Sequence, residues 1–515
     1  MNIVVSAGSA LSRVVAAAAA LALTACGAAR LTSRDSPTVA RRPWVEVTTE
    51  HVSVVTDLPR DEATARAAEV EGWWQALAAG YQLLAPGATA PTARIPVVHF
   101  ADCRDFQVVW GPRVGGAVAP SRDYEERRTV YTCEHEEAEL RREVLLHELA
   151  HRMNHHLFGE LPPWAEEGLA SYFQSLRVEG GRLVLGHINS LDRSRAQRTA
   201  FLPSVEQLRG MDVGTFHRGS RDSYYAAFRL VHLLANASDD YNRRFRGYLG
   251  ALRAGVARDE AWRDAFGELA ADRLQEEYRL YLHGFEMRLW ATAYAPPAPP
   301  APRLRALSAG EIHEVWMLHL LVNGGAATVR RQLGFADRDD PTWPQSKFWH
   351  AVLMPTRTAD GRAKAIGLLR EQVAAHADDA RAWLALVSLR LVDAIPATHT
   401  GLEATPPPGI DALAADVAGL VRLASTPAEL NEVAWYYALR RQPATGIGFA
   451  RRALVADLSC GDCEDTLALL LYQAGRPADA VAHQERAIQL WADERISDSA
   501  WTRLARYRAA ARSKP

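Results

Sequence analysis

The run His147-Glu148-Leu149-Ala150-His151 constrains what this chain can fold into more than any other five residues in it. On a helix, positions four apart lie on one face, so both imidazoles point at a single ion. Two histidines held this way are what a two-histidine zinc site requires. Glu148 follows the first histidine and therefore sits beside such an ion rather than on it, placed to take a proton from an attacking water. The bland reading of the same residues is an exposed helical face that carries two histidines and a glutamate.

The residues downstream add a second helix. Gly159 is placed to end the first, and Pro162 and Pro163 suit the start of the next. A helix hairpin of this length returns a carboxylate to the two histidines. Three protein ligands plus one open position is the composition of a catalytic zinc site, not of a structural one.

The segment Pro162-Pro163-Trp164-Ala165-Glu166-Glu167-Gly168-Leu169-Ala170-Ser171-Tyr172, taken with the histidine pair, resembles the gluzincin metallopeptidases. The nearest pattern is the peptidase-MA-like branch, and the segment is similar to the motif of the aminopeptidase N family. The resemblance implies an α+β, thermolysin-like catalytic domain with one zinc ion held by His147, His151 and Glu167. Glu166 competes for the third place. It also implies peptide-bond hydrolysis by a zinc-bound water that Glu148 activates. The spacing from His151 to Glu167 is slightly shorter than in aminopeptidase N relatives. Some gluzincins carry an aspartate four residues after the glutamate ligand, to support a histidine; here that place holds Ser171.

A further stretch, Ser223 to Leu234, looks like the helix that follows in this branch. The resemblance implies that a tyrosine near its start stabilises the oxyanion formed when water attacks a peptide carbonyl. Tyr224 fits that role by its spacing to Val231, with Tyr225 as runner-up; the plain alternative is an amphipathic core helix with a buried tyrosine. Some members of such families lack peptidase activity.

Residues 43–136 read as mixed strand and helix. Trp44 to Thr56 alternates as a strand, Asp61 to Leu84 has helical periodicity, and Ile95 to Phe100 is a short buried-strand run. Val114 to Pro120 and Arg128 to Thr132 suggest a hairpin. In gluzincins the strand beside the active-site helix pairs with the substrate backbone, and Gly115 to Ala119 is the candidate here, or else an ordinary glycine-containing strand. Helical residues 137–294 complete the expected peptidase domain.

Ahead of this, Val14 to Leu23 is a short apolar run preceded by Arg13, too short to span a membrane and suited to a signal peptide over residues 1–25. It ends Leu23-Thr24-Ala25-Cys26-Gly27, which resembles a bacterial lipobox with Cys26 lipidated. Residues 26–42 then form a spacer, and the chain is expected on the periplasmic or extracellular side of the cell envelope, touching the membrane only through its lipid. Export makes the remaining cysteines readable as pairs, Cys103 with Cys133 and Cys460 with Cys463.

The proline-rich run Ala295 to Pro302 reads as a stiff linker over 295–303. Beyond it the chain repeats: Pro443 matches Pro477, and Arg452-Ala453-Leu454 matches Arg486-Ala487-Ile488. The offset of 34 is the period of tetratricopeptide repeats, with Gly475, Ala480 and Ala487 where that repeat needs small residues. A degenerate copy covers Ala365 to Leu391. Residues 304–515 are thus expected to be an all-α tetratricopeptide-like solenoid that binds a protein or peptide partner, or a helical spacer without one. A net charge of −2 gives no electrostatic case for nucleic acid.

Two readings compete. One is a lipid-anchored zinc peptidase acting on a peptide or protein substrate. The other is an envelope assembly lipoprotein that keeps the peptidase fold as a scaffold and works through its repeats. The complete ligand set and the intact Glu148 favour the first.

Overall fold

A computed structural model describes residues 43–87, 89, 91, 94–110, 116–118, 129–159, 161–188, 202–218, 220–283, 288–297, 301–323, 326–395, 399–491 and 498–513. The expected signal peptide, the spacer and Cys26 lie outside the described residues. Two compact units form, one from residues 42–119 and 128–306, the other from 307–515.

Alternating valines build the start of the first unit. Val45 and Val47 of β1 (Val45–Thr48) are buried, as are Val52 and Val54 of β2 (Val52–Thr56). The single strand expected over Trp44 to Thr56 is therefore two antiparallel strands. The turn between them is held from afar: Thr49 Oγ1 and the His51 amide both donate to Glu71 Oε2, at 2.6 and 3.0 Å.

Helix α1 (Arg60–Tyr81) carries Glu71. Its buried stripe Ala63, Ala67, Val70, Trp74, Leu77, Tyr81 steps by four and three, the period of a helix packed along one face. It crosses to β3 (Ile95–Phe100), parallel to β2. Then come α2 (Cys103–Trp110), β4 (Gly116–Val118) and β5 (Val130–Cys133). The order of the mixed sheet is β4-β5-β3-β2-β1-β9, where β9 is Arg303–Ala306, with β4 antiparallel at one edge. Cys103 and Cys133 are joined, tying α2 to β5.

Strand β9 (Arg303–Ala306) pairs with β1, Val45 opposite Ala306. This corrects the expected boundaries. The proline-rich run links β8 (Trp290–Ala293) to β9 inside the first unit, so it is not a linker between units, and the helical repeats begin after 306 rather than at 304. The reason is that β1 presents a free hydrogen-bonding edge, which β9 satisfies. A small antiparallel sheet, β6 (Arg177–Glu179), β7 (Arg182–Leu185) and β8, covers α1. Gly80 of α1 packs against it, since a Cβ there would sit in contact with Leu183 at 3.6 Å.

The helical half of this unit comprises α3 (Ala138–Phe158), α4 (Pro163–Gln174), α5 (Val205–Gly210), α6 (Val213–Arg218), α7 (Ser220–Asn236), α8 (Asp239–Arg253), α9 (Arg258–Phe266) and α10 (Ala271–His283). Gly159, with φ of 71°, ends α3, and Pro163 opens α4. Trp164 anchors the start of α4, its ring stacked on Tyr248 at 5.9 Å and edge-on to Trp262 at 5.8 Å.

The second unit is all helix: α11 (Ala309–Asn323), α12 (Ala326–Asp339), α13 (Ser346–Val352), α14 (Ala359–Ala375), α15 (Ala380–Ala394), a 3₁₀ turn (Ile410–Leu413), α16 (Ala414–Val421), α17 (Pro427–Leu439), α18 (Pro443–Ala456), α19 (Gly461–Gln473), α20 (Pro477–Leu490) and α21 (Asp498–Arg512). The hairpins α17–α18 and α19–α20 begin at 427 and 461, and their second helices at 443 and 477, an offset of 34 each time. The small residues fall where the hairpins close. Ala480 and Ala487 are buried, and so are their counterparts Gly446 and Ala453. A Cβ on Gly446 would lie 2.6 Å from Leu470. Cys460 and Cys463 are joined at the start of α19. Among the described residues no helix is long and apolar enough to cross a membrane.

Candidate metal centre

Helix α3 carries His147, Glu148 and His151; α4 returns Glu167 to them. His147 Nε2 and His151 Nε2 lie 3.1 Å apart, and Glu167 Oε2 lies 3.4 and 3.5 Å from the two nitrogens. A tetrahedral zinc with ligands about 2.05 Å away sets ligand–ligand edges of about 3.3 Å. The three atoms thus already stand at the corners that such an ion needs.

The outer atoms fix the direction of the rings. His147 Nδ1 faces Gln174 Oε1 at 3.1 Å, and His151 Nδ1 faces Glu166 Oε1 at 2.7 Å. Each oxygen is an acceptor, so each Nδ1 carries a proton and each Nε2 is the atom turned inward. Glu166, the competing ligand from the sequence, is occupied with this second task. Ser171 is buried, and the support for the histidines comes from Gln174 and Glu166 in its place. Asn154, itself buried, donates to the Glu166 carbonyl at 3.1 Å and ties the start of α4 to α3.

Charge within the cluster favours a cation at its centre. Burial disfavours the charged His151 ring, yet the Glu167 carboxylate and the Glu166 hydrogen bond outweigh it and push its pKa up to about 10. Burial likewise opposes ionisation of Glu167, but the two imidazoles hold its pKa down to about 2. Glu167 Oε2 is buried and accepts no hydrogen bond of normal geometry among the described residues. A buried carboxylate oxygen left in this way is costly unless a cation or donor meets it. The donor set, two imidazoles and one carboxylate, suits zinc, whose binding displaces any proton held on Nε2.

Glu148 is buried on the same helix. Desolvation raises its proton affinity, the charges of His147 and His151 oppose that, and Glu167 adds to it. Edge strand β4 runs along this face of α3. A Cβ on Gly116 would lie 2.7 Å from Val144 Cγ1, 2.8 Å from Glu148 Cγ and 3.1 Å from Glu148 Oε1. Only a glycine lets the strand approach the carboxylate so closely. Gly115 and Ala119, the ends of the expected substrate strand, lie outside the described residues. Gly116→Val is expected to displace Glu148 and lower turnover at least about tenfold with zinc content unchanged, read by initial rates alongside metal analysis.

A second close approach sets the tyrosine. A Cβ on Gly168 would meet Val231 Cγ2 at 2.6 Å and the Ala227 carbonyl at 2.7 Å, so α4 and α7 touch at the residue after Glu167. Tyr224, one turn before Ala227, is thereby brought beside Glu167. Burial and the Glu167 and Glu148 charges hold its hydroxyl protonated. Tyr225, the runner-up, is packed in the core with its ring 5.9 Å from the Arg229 guanidinium. His217 of α6 contacts the Tyr224 hydroxyl through Nδ1 at 2.8 Å.

Sequence reasoning missed Gln174 and His217. Gln174 sits seven residues after Glu167, on the same face two turns on, which is a readable signal. His217 comes from a separate six-residue helix, and nothing in the local pattern marks it.

No protein-family model matches the chain, and no curated protein matches it. Among solved structures, it is similar to a thermophilic TPR protein of Thermus thermophilus, at 16% identity and a TM-score of 0.29, over 39% of this chain and 99% of that one. It is also similar to the TPR domain of P58(IPK), at 9% identity and a TM-score of 0.22, over 68% of this chain and 90% of that one.

Proposed function

We propose that the chain is a zinc-dependent peptidase of the gluzincin kind, with a thermolysin-like catalytic unit. The observation that carries this reading is the convergence of His147 Nε2, His151 Nε2 and Glu167 Oε2 at 3.1–3.5 Å, with Glu148 alongside. Zinc held there supplies Lewis acidity, which acidifies water and polarises a carbonyl. Glu148 takes the proton from the attacking water and passes it to the leaving amine; its raised proton affinity suits both halves of that task. His217 Nδ1 and the Glu167 carboxylate both hold the Tyr224 hydroxyl, whose hydrogen turns from that carboxylate to the developing oxyanion. The outer edge of β4, beside Glu148, offers backbone groups to an extended peptide, which is why peptides are the substrate class we favour.

The helix hairpins of the second unit favour a second reading, a scaffold or assembly lipoprotein that binds a protein partner through its repeats. Glu148 argues against it as the whole account, since a pure scaffold has no use for the base. Either reading places the chain in the bacterial cell envelope, anchored through lipid on Cys26. Cys26→Ala is expected to move the protein from the detergent-extracted membrane fraction to the soluble one, and an unchanged distribution would refute the anchor.

The deciding experiment is digestion of an unbiased peptide library by zinc-loaded protein. Cleavage lost on chelation and restored by zinc supports the peptidase; a zinc-bound chain that cleaves nothing supports the scaffold.

A further inference from the structure

Helices α17, α19 and α21 of the second unit present a common face, and part of the chain itself lies on it. Trp435 of α17 and Leu469 of α19 hold equivalent places, 34 residues apart, and Gly401 sits against both. A Cβ on Gly401 would be 2.7 Å from Leu469 Cδ2 and 3.6 Å from the Trp435 ring.

Three successive carbonyls of this segment are taken by side chains from three parts of that face. Arg503 of α21 donates to the Thr400 carbonyl at 3.1 Å. Gln473 of α19 and Arg441, just after α17, both reach the Gly401 carbonyl at 3.5 Å, and Arg441 reaches the Leu402 carbonyl at 3.3 Å. Side chains that take consecutive backbone carbonyls hold a peptide by its main chain. The segment is turned rather than extended: Gly401 has φ of 79°, and the Thr400 amide and hydroxyl donate to Glu403 Oε1 at 2.8 and 2.9 Å. Arg503 is fully buried and braced by both Asp465 oxygens, at 2.7 and 2.8 Å.

Arg441 adds an independent sign. Its φ is 59°, the left-handed region, and it is the only non-glycine with positive φ among the described residues. The equivalent place in the next hairpin holds Gly475, with φ of 78°. A non-glycine residue is disfavoured there, and this one spends its guanidinium on the segment. The fit is incomplete, however. Trp435 Nε1, Asn431 Oδ1 and Gln473 Oε1 are buried on α17 and α19 and have no hydrogen-bond partner among the described residues. The segment satisfies the carbonyl-binding donors of this face and leaves those three atoms unmet.

We propose that Thr400-Gly401-Leu402 is a built-in occupant of a peptide groove on α17, α19 and α21. The groove is closed until a peptide able to take the same turned form, a glycine between a hydroxylated and an aliphatic residue, displaces it. The seated segment lowers apparent affinity for an outside peptide by the fraction of time it is in place. This inference is independent of the zinc reading.

The test titrates the full chain with a fluorescein-labelled peptide of residues 398–405 and follows polarisation. Gly401→Val clashes with Leu469 and strains a φ of +79°, so it unseats the segment. It is expected to bind the peptide at least about tenfold more tightly than wild type. Adding Arg441→Gly, which restores the glycine of the next hairpin and removes the guanidinium, is expected to reverse that gain. A Gly401→Val chain that melts like wild type yet shows no gain overturns the proposal. Should that variant not fold, hydrogen exchange on the wild type decides. Amides of 400–402 that exchange at least about tenfold faster than those of α17 and α19 support an occupant that leaves by itself. Exchange at the rate of those helices makes the segment a fixed part of the core and overturns the proposal.

Discussion

Glu148→Gln is expected to keep about one zinc per chain and to lose about 10²–10⁴-fold in kcat/KM on any peptide the wild type cleaves. The substitution is close to isosteric. Its side chain still fits beside Val144 against the backbone of Gly116, where the wild-type Cγ leaves no room for a Cβ on the strand. Glu148 takes no part in the triangle of His147, His151 and Glu167, so the metal loses no ligand. What is removed is the capacity to accept a proton, since a neutral amide does not take one. The loss corresponds to about 2.7–5.5 kcal/mol of transition-state stabilisation. Metal content by emission spectroscopy and single-turnover rates separate the two effects. Wild-type rates in the zinc-loaded variant would remove Glu148 as the base. Zinc loss in the variant would place Glu148 in the metal site itself and redraw the centre.

The parts of this site legible in the sequence share one property: their signal lies within a turn or two of the chain. The pair His147 and His151 is a helical repeat. Gly159 and Pro163 are local stop and start signals, and the structure ends α3 and begins α4 there. Pro443 and Pro477 open equivalent helices for the same reason. What was not legible depends on distant partners. The break between β1 and β2 has neither glycine nor proline at Thr49 to His51, and it is held by Glu71, some 20 residues on. Strand β9 has no apolar alternation of its own; it forms because β1 has an edge to fill. His217 reaches the site only because the α4–α7 contact at Gly168 sets Tyr224 within its reach. Glu166 and Glu167 are adjacent in sequence, so only the direction of each side chain tells ligand from support.

That direction makes opposite predictions for the two glutamates. Glu167→Ala is expected to abolish stoichiometric zinc binding, lowering affinity by more than about 10²-fold. Glu166→Ala is expected to retain stoichiometric zinc with affinity weakened by about 10–100-fold, the usual cost of losing a residue that orients a ligand. Glu167 Oε2 lies 3.4 and 3.5 Å from the two Nε2 atoms and has no other hydrogen-bond partner among the described residues, so its loss opens one corner of the triangle. Glu166 Oε1 lies 2.7 Å from His151 Nδ1, on the far side of the ring, so its loss frees the ring to turn but leaves the corner filled. Zinc affinity is read by competition with a chromophoric chelator, and a thermal melt without metal checks that each variant is folded. Full zinc in Glu167→Ala with loss in Glu166→Ala would exchange the two roles. Loss in both to the same degree would mean that the carboxylates act as one unit, because the proton on His151 Nδ1 then decides whether its Nε2 is available at all.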